Sequence, residues 1–330
     1  MAIGLLAITD PGCAVSTRYR VRQYEKALLA NGVQLQILAW PGRREEQEAL
    51  LDLAGAADAV LFQRYLPHAR LIGRFRRQAR RLVYDFDDAV IFHESTRHRP
   101  RLKVERWWRF REMAGACDAV TAGNAYLAGL AERYAGRRVF VLPTTVESAR
   151  YQNEPGPAET GPVLGWIGGH WTLPYLERLR RPLERLSAEA AGLTVRVIAD
   201  KLPDLGQTSV ELIGWQAATE AWELKQLRAG LAPLPDDAWT RGKCGLRLLQ
   251  YLAAGVPAVA SPVGTQARII EEGAALAAST EDDWLRSLRL LLHDAKAASA
   301  LAARGRQVVR EQFDASIWVD RLCAYWCGKP

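Results

Sequence analysis

Two stretches of the 330-residue chain gather side chains able to do chemistry. In RGKCGLRLLQYLAAGVPAVASPVG (241–264), Lys243, Arg247 and Gln250 fall at i, i+4 and i+7, a spacing that aligns side chains along one face of a helix. Leu246, Leu249 and Ala253 mark the opposite, apolar face; Gly255 suits a left-handed C-terminal cap, and Pro257 cannot continue the helix. Two cations four residues apart repel. An anion at the helix N-terminus, where N–H groups are unpaired and the dipole is positive, reverses that cost. The stretch read by itself is a phosphate site or, more plainly, a solvated basic face on a core helix, and the segment alone favours the plainer reading. In YDFDDAV (84–90), Asp85 and Asp87 form D-x-D, and Asp87 or Asp88 stands where a strand ends. Such carboxylates orient or deprotonate a hydroxyl, hold a metal, or cap a helix.

Elements must position these groups, and the chain alternates them regularly. Strand-like runs at 3–8, 33–40, 59–64, 81–86, 118–123 and 138–145 are separated by helical patterns, one at about 19–30. The polar, Pro- and Gly-rich 147–162 breaks the alternation and reads as a linker. The pattern resumes with strands at 163–168, 193–200, 210–215, 230–235 and 258–261, then largely helical sequence. Strand–helix alternation implies parallel sheets with helices on both faces, whose ligands lie beyond the carboxyl ends of the strands. The fold class is α/β: two Rossmann-like, doubly wound domains facing a cleft. Boundaries fall at 1–150, a linker at 151–162, a second domain at 163–312 and a last helix at 313–330.

Composition is that of a globular protein, 49% hydrophobic and 25% charged, which excludes disorder and low complexity. The net charge of +7 is uneven: residues 1–155 hold 24 Lys and Arg against 17 Asp and Glu, and the rest is balanced. Five unpaired-looking cysteines argue for reduced thiols and a cytoplasmic setting. Cys323 and Cys327 lie one helical turn apart, but no second pair or nearby His completes a metal site. The N-terminal apolar run is interrupted by Asp10 and reads as a strand, not a signal peptide, and no stretch is apolar enough to span a membrane.

With GWIGGHWTLPYL (165–176), LAPLPDDAWTRGKCGLRLLQYLAAGVPAVASPVG (231–264) and EEGAALAAS (271–279), the chain resembles the GT-B glycosyltransferases of the large retaining family 4 group. The resemblance implies transfer of a sugar from a nucleotide-diphosphate sugar to a hydroxyl of a cell-surface glycan or lipid-linked acceptor. The anomeric configuration is kept by front-face departure and attack, without cofactor or metal. Metal-binding D-x-D pairs belong to a different glycosyltransferase fold. It implies catalytic roles for Asp87, Asp88 and Lys243. Donor contacts would come from Gly168, Gly169, His170, Thr172, Lys201, Trp215, Asp236, Asp237, Cys244, Gly245, Leu246, Arg247 and Gln250. The loop 10–20 would border acceptor and diphosphate through Gly12, Cys13, Ser16 and Arg18. The chain departs from the family pattern in two places. Gln250 replaces the Glu that holds the ribose, and the first acid of Glu-x7-Glu falls on Gly242. In the family the last helix crosses back to the first domain, which here would pack Ile317, Val319 and Leu322.

The basic helices at 68–81 and 97–111 carry Arg74, Arg76, Arg77, Arg101, Arg106 and Arg109 beside Phe75, Trp107, Trp108 and Phe110. This suits peripheral contact with an anionic inner membrane face, or equally a solvated face over core aromatics. No nucleic-acid recognition motif accompanies the charge. Two rival readings are a nucleotide-sugar epimerase of the same fold and a non-catalytic binding or scaffolding module.

Overall fold

The computed structural model describes residues 2–96, 101–152 and 161–329. Most of the expected linker, 153–160, lies outside them. The first sheet comprises β1 (Ile3–Thr9), β2 (Val33–Ala39), β3 (Ala59–Gln63), β4 (Leu82–Phe86), β5 (Ala119–Ala122) and β6 (Val139–Val141), in the order β2-β1-β3-β4-β5-β6. The second comprises β7 (Val163–Ile167), β8 (Thr194–Ile198), β9 (Ser209–Ile213), β10 (Ala229–Ala232), β11 (Ala258–Ala260) and β12 (Leu276–Ala277), in the order β12-β11-β10-β7-β8-β9. Every pairing within both sheets is parallel. Helices on both faces explain why β3, β4 and β5 are buried along their whole length and are mostly apolar. Strand β12, two residues long at a sheet edge, has no counterpart among the expected strands.

Each sheet has one point where the winding reverses, between β1 and β3 in the first and between β7 and β10 in the second. Crevices at such points are where open α/β sheets take ligands. The seam between the domains is tightly closed. A methyl group on Gly242 would meet Ala89 N at 2.7 Å, and one on Gly123 would fall on Cys244 Sγ and 3.3 Å from Asp87 Cα, so both sites require a bare backbone.

The helix Val319–Cys327 lies against the first domain, with Val319, Leu322 and Trp326 buried beside Tyr24 and Val83. Trp326 Nε1 donates to Thr121 Oγ1 at 3.2 Å, and Arg81 donates to the carbonyls of Tyr325 and Trp326. Ile317 does not join this contact. It sits in the 3₁₀ turn Ala315–Trp318 ahead of the helix and is 47% exposed. The segment after β1 also differs from expectation. Only Asp10–Cys13 is a turn, and Ala14–Arg20 is already helical, so Ser16 and Arg18 stand on a helix rather than in a loop.

Candidate functional site: a charged seam between two sheets

At the carboxyl ends of β3 and β4, an ionic cluster closes on residues from the second domain. Lys243 Nζ lies 2.8 Å from Asp88 Oδ1, and Arg64 pairs with the other oxygen of Asp88. Arg64 has φ +64, the one non-glycine residue in the left-handed region among the described residues. Such backbone strain persists where surrounding contacts over-determine it, often at functional sites. Its N–H donates to Asp85 O at 2.7 Å. Burial opposes the charges here, but mutual attraction outweighs it. Arg64 and Lys243 hold the Asp88 carboxyl below its ordinary range, and Asp88 keeps Lys243 above its own.

Asp87 differs from its neighbour. Ser16 Oγ donates to its Oδ2 at 2.6 Å, while Oδ1 is buried with no hydrogen-bond partner, 3.9 Å from Arg64. Burial, then repulsion from Asp88, raises its carboxyl above the usual value, against the pull of Arg64, Arg20 and Ser16. The two adjacent acids are thus set apart, one neutralised and one poised. Asp85 belongs to neither role. Arg20 holds it bidentately, with Nε at 3.0 Å from Oδ2, and Thr121 donates to Oδ1 at 2.6 Å, so the D-x-D pair does not converge on one point. Among the described residues no group of three His, Cys, Asp or Glu is placed to hold a metal.

The expected basic face of residues 243–250 is not formed, because the helix begins only at Leu246. Lys243 precedes it in extended conformation and crosses to the first domain, resting 4.8 Å over the Trp239 ring. Arg247 turns the other way. It stacks on Trp166 at 4.4 Å, donates to Ile167 O and Thr172 Oγ1, and burial lowers its affinity for the proton. Gln250 points elsewhere again, is 4% exposed, and donates to Tyr19 of the first domain at 3.0 Å. The divergence of Lys243 and Arg247 relieves their mutual repulsion. The N–H groups of Cys244, Gly245 and Leu246 still donate to no acceptor among the described residues, with Gly245 left-handed at φ +74 ahead of the first turn. The Cys244 thiol, buried against Asp87 O at 3.2 Å, is pushed well above its usual value by burial and is inert.

A second cross-seam cluster surrounds Glu220, which is 1% exposed. It accepts from Tyr19 Oη at 3.1 Å, Tyr151 Oη at 2.7 Å and Trp215 Nε1 at 2.7 Å. Trp215, expected at a nucleobase, is anchored here with Arg18 stacked on its ring at 5.2 Å. Burial, then Glu220, pushes the Tyr19 phenol up to about 12.

The remaining expected residues divide between the seam and local structure. His170 is tied to Asp200 through its N–H at 3.0 Å and its ring at 2.5 Å, and Thr172 donates to Gly169 O. A side chain on Gly168 would strike Arg247 and Trp166, and one on Gly169 would strike Trp171, so these glycines admit the protein's own rings. Asp237 is consumed by its turn, accepting from the N–H groups of Trp239 and Thr240, and Asp236 pairs with Arg241 at 2.7 Å. Lys201 is exposed beyond β8. Gly12 bonds Asp10, and the Cys13 thiol is pushed up to about 12 by burial. On the basic helices, Phe75 and Phe110 are core, Arg74 pairs with Glu48, Arg76 with Asp118 and Arg109 with Glu105, and Trp107 bonds Tyr134. Trp108 is exposed, and Arg77, Arg101 and Arg106 pair with no carboxylate among the described residues.

Sequence reasoning missed Gln63, Arg64, Tyr19, Tyr151 and Glu220. For Gln63 and Arg64, a polar pair ending an otherwise apolar strand, AVLFQR, was the available signal.

Residues 178–324 match the model of a family described as "Glycosyl transferase-like". Over whole chains, the structure is similar to a glycosyltransferase from Rickettsia africae ESF-5, with TM-score 0.74, 10% identity and 98% of each chain covered. It is also similar to Anabaena Alr3699/HepE in complex with UDP and glucose, with TM-score 0.68, 12% identity and coverage of 97% and 98%. A third likeness is to WaaG, a glycosyltransferase involved in lipopolysaccharide biosynthesis, with TM-score 0.68, 14% identity and coverage of 99% and 100%. No curated protein matches the chain by sequence. At these identities the likeness establishes the fold, GT-B.

Proposed function

We propose that the protein is a glycosyltransferase that moves a sugar from a nucleotide-diphosphate sugar to a hydroxyl, with retained configuration and without a metal. One observation carries the reading. Lys243 and Cys244 meet Asp88 and Asp87 across the seam, the N–H groups of Cys244, Gly245 and Leu246 follow Lys243 without an acceptor among the described residues, and Asp87 Oδ1 accepts no hydrogen bond. A departing diphosphate gains negative charge and needs preorganised donors, while an incoming hydroxyl needs an acceptor for its proton. The match to a glycosyltransferase-like family and the fold support the same chemistry.

The domains part across the Lys243–Asp88 pair to admit substrates. Lys243 then exchanges Asp88 for phosphate. The bond from the anomeric carbon to phosphate breaks as the acceptor oxygen attacks on the face being vacated, and Asp87 Oδ1 takes the hydroxyl proton. Gln250 and Trp215 are held by Tyr19 and Glu220 in the closed arrangement, so nucleoside contacts through them also require opening. The acceptor is a glycan or lipid-linked hydroxyl presented at the inner membrane face, with Arg77, Arg101, Arg106 and Trp108 nearest the lipid.

A thermal-shift screen across UDP-, GDP-, dTDP-, ADP- and CMP-sugars tests donor binding, with UDP-glucose first because Anabaena HepE was crystallised with it. Transfer to membrane extract that survives chelator is expected. Donor altered without acceptor points to an epimerase instead, and binding without turnover points to a scaffold.

A further inference from the structure

Behind Asp87 runs a chain of hydrogen bonds that ends on it. Thr17 Oγ1 lies 3.2 Å from Gln63 Oε1, Gln63 Nε2 lies 2.7 Å from Ser16 Oγ, and Ser16 Oγ lies 2.6 Å from Asp87 Oδ2. Gln63 is fully buried at the last position of β3, on the reversal point of the first sheet, and Thr17 and Ser16 are adjacent on the helix Ala14–Arg20. The chemistry of each link fixes the direction. An amide nitrogen only donates, so Ser16 Oγ receives Gln63 and its own proton turns to Asp87. Reversing the chain requires the Gln63 amide to turn over and Asp87 to carry a proton.

We propose that Thr17, Gln63 and Ser16 form a polarised relay that fixes Oδ2 of Asp87 as an acceptor and so turns its bare Oδ1 toward the seam. Ser16 and Gln63 are positioning residues for that carboxylate. The inference rests on the reading of Asp87 as the group that meets the acceptor hydroxyl, and it adds what keeps that group ionised. A donor on a carboxylate stabilises the charged form, and a relay of one polarity supports it further. Burial and Asp88 oppose ionisation, Arg64 at 3.9 Å and the Asp85-bound Arg20 favour it from a distance, and Ser16 is the direct hydrogen-bond donor on the carboxylate. Cys13, Cys244 and Lys243 are the other titratable groups near the site. Both thiols are held neutral by burial, and Lys243 is engaged by Asp88.

The test reads Asp87 directly, by carboxyl carbon NMR titration of full-length protein labelled at aspartate, with Asp87→Asn assigning the signal. Ser16→Ala is expected to raise the Asp87 midpoint by roughly one pH unit, the scale of one hydrogen bond to a charged group. Ser16→Thr should restore it, and Gln63→Met should raise it by less. An Asp87 midpoint that stays put in Ser16→Ala and Gln63→Met overturns the relay. Turnover of UDP-glucose by Asp87→Asn is scored separately. Undiminished turnover removes the catalytic reading of Asp87 and leaves the relay standing on its titration.

Discussion

Two polar clusters span the same seam and are built to opposite ends. Around Glu220, one buried carboxylate meets three donors, and Tyr19 meets both Glu220 and Gln250. Around Asp87 and Asp88, charges are numerous, one buried carboxylate oxygen accepts no hydrogen bond, and Lys243 keeps 25% of its side-chain surface exposed. A satisfied buried network fixes geometry, whereas an incomplete one has a place for something not yet bound. The first cluster therefore ties the domains together, and the proposed substrate chemistry falls to the second.

Four measurements test that division. The largest effect belongs to the first cluster: Glu220→Ala strands the buried hydroxyls of Tyr19 and Tyr151 and should cost about 3 to 5 kcal/mol in denaturant unfolding. A loss near zero would mean that the cluster holds nothing. Next, Asp87→Asn should cut transfer by about 100-fold or more, near 3 kcal/mol of barrier, while leaving the melting temperature almost unchanged. A matching loss of stability would place Asp87 with the structural cluster instead. Lys243→Ala should weaken UDP-glucose binding in calorimetry by about 1 to 3 kcal/mol, as expected for a lost charge-assisted bond. Equal affinity would remove the phosphate assignment.

The smallest effect is on stability against pH. Asp88 is held below its unfolded value, so its contribution is present above the usual aspartate range and fades as pH falls through the depressed value. Lys243 is held above its own, so its share is lost only as pH rises through the raised value. Stability should be flat near neutrality, and the acid loss should shrink in Asp88→Asn.

Much of this architecture was legible in the chain itself. Strand–helix alternation marked eleven of the twelve strands, and β12 was too short to carry a pattern. The Gly255 cap, at φ +74, followed from local backbone chemistry. Residues 10–20 misled because Pro11 and Gly12 signal a loop, yet the turn closes by Cys13 and the helix starts at Ala14.

The site was legible only as residue types. Lys243, Arg247 and Gln250 share a helical spacing, but one precedes the helix and the three point to Asp88, Trp166 and Tyr19. What sets Asp88 apart from Asp87 is a lysine from the other domain, and what seals Gln250 is a tyrosine 231 residues away. Periodicity and turn chemistry act over a few residues, so the sequence alone determined strands, caps and the two-sheet layout. The charge state and exposure of each acid and cation depend on burial and on partners from the other domain, and only the tertiary structure decided those.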